Sequence, residues 1–136
     1  MPELELSAGT IEYEDTGGPD PVIVLLHGLF MGGSLWRHLV PDLRTDFRCV
    51  LPELPMGAHR RPMRAGADLS GRGQARLVAE LLDRLDLRDV TLVGCDWGGA
   101  QLIEVPDSYT LIPEDQPAAC VEAIRQFVRK TSKTDP

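Results

Sequence analysis

Two short apolar runs, each ending in a glycine-bearing turn, constrain this chain more than any other feature. Val22-Ile23-Val24-Leu25-Leu26 is continuously apolar and leads into His27-Gly28. Val90-Thr91-Leu92-Val93 leads into Gly94-Cys95-Asp96-Trp97-Gly98-Gly99. A strand with no apolar–polar alternation is buried on both faces, as in a parallel sheet covered by helices on each side. The fold class expected is therefore α/β, a mostly parallel sheet flanked by helices.

The rest of the chain fits that plan. Leu4 to Leu6 and Thr10 to Glu14 alternate apolar and polar residues around a Ser7-Ala8-Gly9 turn, so two short strands are expected there. Ser34 to Leu43 carries apolar residues at helical spacing, with Ser34 as N-cap and Pro41 kinking or shortening the helix. Cys49 to Leu51 is a short strand ended by Pro52, and residues 52–66 are a loop rich in Pro, Gly, Arg and Met. Asp68 or Ser70 caps a helix with Leu77, Val78, Leu81, Leu82 and Leu85 on its apolar stripe. Leu102 to Val105 is a further strand, stopped by Pro106. A last helix after Pro117 presents Val121, Ile124, Phe127 and Val128 on one face, and Lys130 to Pro136 is a polar, fraying tail.

With 136 residues, the chain has room for one core and one domain. Acidic residues outnumber basic ones 21 to 14, and a net charge of −7 argues against binding a phosphate backbone. No apolar run approaches the roughly 18 residues of a membrane span. Met1 to Gly9 lacks the basic start of a signal peptide, and Cys49, Cys95 and Cys120 show no metal-ligand spacing. The expectation is a cytoplasmic protein with free thiols, no metal and no cofactor.

The chemistry concentrates in the two turns. Gly94-Cys95-Asp96-Trp97-Gly98 has the glycine-x-nucleophile-x-glycine spacing of a nucleophile elbow, with a carboxylate in the central position. Flanking glycines let the backbone bend sharply from strand to helix, and the N–H of Trp97 then faces an oxyanion. A carboxylate there attacks an electrophilic carbon and forms an ester. The loop opening with His27-Gly28 supplies the second oxyanion donor, the N–H of Leu29 or Phe30. His27 itself is expected to orient that loop through hydrogen bonds. An alternative stays open at residues 93–105: the Gly98-Gly99 pair also suits a hairpin joining the two neighbouring strands.

On these motifs the chain resembles the α/β-hydrolase family, and within it the branch with an Asp-Trp-Gly-Gly elbow, the haloalkane dehalogenases and epoxide hydrolases. His27-Gly28, Gly32 to Trp36 and Val90 to Gly99 carry the likeness. It covers residues 1–101 as the N-terminal half of that fold, with 102–130 as the last strand and helix and 131–136 as a tail. The resemblance implies a truncated three-layer sandwich. It also implies hydrolysis of a small, largely apolar substrate through a covalent ester on Asp96. Trp97 would contact the substrate, and His59, in the Arg-rich loop, is the one spare imidazole that could do so.

The departures are specific. In the family the order is nucleophile, acid, histidine, yet His27, His38 and His59 all precede Asp96 and no histidine follows it. Thr110 or Tyr109 stands at the matching position, and neither activates water at neutral pH as imidazole does. A complete fold of this type runs to roughly 200 to 250 residues, so a large internal deletion is expected after residue 101. The second functional expectation is therefore an inactive remnant that binds or self-associates through an exposed sheet edge.

Overall fold

The computed structural model describes residues 1–18, 21–28, 30–94 and 117–133. Its elements are β1 (Glu3–Leu6), β2 (Gly9–Asp15), β3 (Val22–Leu26), α1 (Val40–Leu43), β4 (Arg48–Pro52), α2 (Gly71–Arg84), β5 (Thr91–Gly94) and α3 (Pro117–Lys133). Among the described residues, five strands form one sheet in the order β1-β2-β4-β3-β5. The β3–β4 and β3–β5 ladders are parallel, whereas β2 runs antiparallel to both β1 and β4. Strand β2 alone opposes the others, so the expected mostly parallel α/β sheet is present. The expected strand at Leu102 to Val105 lies outside the described residues.

Burial follows the alternation of the pleat. Every residue of β3 is buried. Ile23 and Leu25 face one cluster with Trp36, Leu39, Cys49 and Val121, while Val22, Val24 and Leu26 face another with Val50, Leu54 and Val78. Helix α3 and the 33–43 segment thus cover one face and α2 the other, giving three layers. Helix α3 is held by Val121, Ile124 and Val128 and by Arg125, which pairs with Asp42 at 2.8 Å and Asp46 at 2.9 Å.

Three local expectations need correction. The single helix at Ser34 to Leu43 is a 3-10 turn at Gly33–Trp36 followed by a separate α1. Pro41 lacks an N–H and clashes with the preceding turn, so the chain restarts a helix with proline in its first turn. Phe127 is half exposed rather than part of the buried face. Helix α3 also continues to Lys133 where a polar tail was expected from Lys130. Of the two candidate caps for α2, Ser70 takes the role, accepting the Gly73 N–H at 3.2 Å.

The Arg-rich loop lies along the β1–β2 hairpin. Arg61 pairs with Glu3 at 3.0 Å and Arg64 with Glu5 at 2.7 Å, and Gly9 bridges to Met63. These arginines are strapped to acidic partners rather than gathered around a free anion site.

Candidate functional site

The carboxyl ends of β3, β4 and β5 lie side by side because the three strands are parallel neighbours. In open α/β sheets this is the end where ligands bind. At the last rung of the β3–β5 ladder Leu26 stands opposite Gly94. The start of the loop at His27 and the end of β5 at Gly94 therefore lie on adjacent strands, about 4.8 Å apart. Asp96, Trp97 and Leu29 lie outside the described residues, as does the choice between a tight turn and a hairpin at 95–105.

The loop after β3 is fixed by the loop after β4. His27 is fully buried, and its Nε2 accepts the Leu54 N–H at 2.8 Å. Its Nδ1 is 2.8 Å from the Gly28 carbonyl, so Nδ1 carries the proton and donates. Burial holds the imidazole below the usual histidine range, opposed by the Gly28 carbonyl and the nearby Glu53 carboxylate. Both nitrogens are committed, which matches the expectation that His27 orients its loop.

Further along, Phe30 donates its N–H to Met56 O at 2.6 Å, and Ala58 donates to Met31 O at 3.0 Å. Phe30 sits at φ 61 and is 87 % exposed. Of the two amides read as oxyanion donors in this loop, that of Phe30 is thus turned into the β4 loop, because its one hydrogen is already given. The two loops approach closely at Gly57, where a Cβ would meet the Met31 carbonyl oxygen. Side chains at this position are excluded by sterics alone.

His59 sits at the same end of the sheet, but its Nε2 donates to Thr10 O at 3.1 Å on β2. With β4 and β3 intervening, it stands three strands from β5. It lines a cleft of about 620 Å³ formed by the Arg-rich loop, with Met56, Met63 and Leu69 as apolar walls. His38 is exposed and Trp36 is core.

Sequence reasoning missed Glu53. Its Oε1 accepts the Gly33 N–H at 2.8 Å, so it ties β4 to the far end of the β3 loop. An acid directly after the β4 run and a Gly32-Gly33 pair in the loop after β3 were the available signals, but their pairing was not. Among the described residues there is no cluster of His, Cys, Asp and Glu able to hold a metal, and no helix long and apolar enough to cross a membrane.

A family model for the alpha/beta hydrolase fold matches residues 21–115. Haloalkane dehalogenase 2 of Mycobacterium tuberculosis is 38 % identical over 97 residues, covering 71 % of this chain and 33 % of that protein. A soluble epoxide hydrolase of Corynebacterium sp. is 36 % identical over 86 residues, covering 62 % and 29 %. A solved structure described as an ancestral haloalkane dehalogenase superposes with a TM-score of 0.64 at 28 % identity, covering 74 % of this chain and 35 % of that one. The chain thus spans about a third of the length of the relatives it matches.

Proposed function

The chain belongs to the α/β-hydrolase fold family, and from that premise we propose that it takes a small, largely apolar electrophile onto Asp96 as a covalent ester. With a haloalkane, a carboxylate oxygen of Asp96 attacks the halogen-bearing carbon. The C–O bond forms as the C–halogen bond breaks, and the electron pair leaves with the halide. The N–H groups of Trp97 and Leu29 hold the other carboxylate oxygen, so that the attacking one is aimed. Phe30 drops out of this role because its hydrogen goes to Met56.

One observation supports the reading: Leu26 stands opposite Gly94, so the strands that lead into the two glycine-bearing segments end side by side. The relatives add that a haloalkane dehalogenase and a soluble epoxide hydrolase each match this chain over about a third of their own length. No histidine follows Asp96 in these 136 residues, so the ester is expected to accumulate rather than to turn over.

The test is intact-mass analysis after incubation with haloalkanes, epoxides and activated esters. A stable adduct with the parent chain that is absent in Asp96→Asn supports the reading. No adduct from any class overturns it and favours a binding or self-associating remnant, whose concentration dependence size-exclusion chromatography would read.

A further inference from the structure

The cleft of about 620 Å³ in the Arg-rich loop takes no part in the Asp96 reading. It lies against the β1–β2 turn, and its walls are set by bonds to other elements. The Arg64 N–H donates to Ala8 O at 2.9 Å, Met63 bridges to Gly9, and His59 donates to Thr10 O. At the two ends of the loop the fully buried Gln74 donates from Nε2 to Pro55 O at 3.2 Å and to Leu69 O at 3.3 Å. A concave surface held in this way can take a ligand without first ordering a loop.

The lining points to the chemistry of that ligand. Met56, Met63 and Leu69 supply apolar surface, and Leu69 is 41 % exposed. Every ionisable residue that lines the cleft is basic, on a chain whose net charge is −7: His59, Arg60, Arg61 and Arg64. The three arginines are not equivalent. Arg61 and Arg64 are held by Glu3 and Glu5. Arg60 comes only to 3.9 Å from Glu12, beyond hydrogen-bond reach, and its side chain is 77 % exposed. Its guanidinium keeps a planar fork of donors for an anion.

We propose that this cleft binds a small amphipathic carboxylate, with its head on Arg60 and its alkyl chain along Met56, Met63 and Leu69. An Arg–carboxylate pair is charge-assisted and suits two-point contact. Flexible thioether side chains adapt their shape to an alkyl chain. Neither Asp96 nor any residue after β5 enters the site, so it stands or falls apart from the Asp96 reading.

The test is a titration of the full 136-residue chain with octanoate, below its micelle concentration, followed by backbone amide shifts. Saturable shifts should centre on residues 55–69. Octanol keeps the alkyl chain and lacks the charge, and it should bind about tenfold more weakly. Butyrate keeps the charge and is four methylenes shorter, and it should also bind about tenfold more weakly or worse. Arg60→Gln, at an exposed position that leaves the fold intact, should weaken octanoate about tenfold and leave octanol unchanged. Octanol or butyrate binding as tightly as octanoate overturns the proposal, as does an Arg60→Gln variant that binds octanoate like the parent. Shifts that centre elsewhere, or no saturable shift at all, overturn it too.

Discussion

The Leu54 amide donates to Nε2 of His27 at 2.8 Å, so one imidazole joins the carboxyl ends of β3 and β4. The bond requires Nε2 to be unprotonated, and the neighbouring Gly28 carbonyl keeps the proton on Nδ1.

His27→Ala should lower stability by about 3 kcal/mol at pH 8, from lost packing and an unpaired Leu54 N–H. The imidazole is held below its usual range by burial, so the fold favours the neutral form. Its contribution is present above the unfolded value of about 6.5 and is lost as pH falls through the folded one. Urea melts from pH 8 down to pH 5 should therefore show the gap between parent and variant narrowing toward acid. A gap independent of pH would mean that burial does not hold the folded imidazole below its usual range.

Asp15 meets Arg48 in a two-point contact, with Nε at 3.0 Å and the second nitrogen at 2.6 Å, clamping the end of β2 to the start of β4. The Arg48 hydrogen bond is the largest influence holding the Asp15 carboxyl below the usual carboxylate range. Since the folded value is depressed, the contribution is present above about pH 4 and lost as pH falls through the folded value. Both side chains are part exposed, so Asp15→Asn should cost only about 1 kcal/mol at pH 7. Thermal melts at pH 7 and pH 2.5 should show that difference at the first pH and little at the second.

Burial pushes the Cys49 thiol up to about 11. At pH 8 the folded protein should leave Cys49 unlabelled by iodoacetamide, and peptide mapping should find it modified only in denaturant. Rapid labelling of Cys49 in the folded protein would mean that the core around β4 opens.

Two glycines should respond oppositely to alanine. At Gly57 the added Cβ would run into the Met31 carbonyl oxygen, so Gly57→Ala must push the β3 and β4 loops apart. It should cost about 3 kcal/mol or prevent folding. At Gly71, in the first turn of α2, a Cβ meets nothing within 4 Å. Gly71→Ala should add about 0.5 kcal/mol of stability. Denaturant midpoints measure both.

What the sequence determined alone is what neighbours along the chain encode. Continuous apolar runs located β3 and β5, spacing located α2, and Asp68 and Ser70 marked where its cap falls. Composition and glycine punctuation further marked the carboxyl ends of β3 and β5 as the place for chemistry. Tertiary structure decided every pairing between the loops: Leu54 on His27, Met56 on the Phe30 amide, Glu53 on Gly33, and the acidic hairpin on the Arg-rich loop. Those partners are distant in sequence; the first three meet because β4 lies beside β3 in parallel, and the last because the β1–β2 hairpin lies on the other side of β4. A hydrogen bond between loops depends on which strands are neighbours and how their ends align, and no local period or turn preference carries that information.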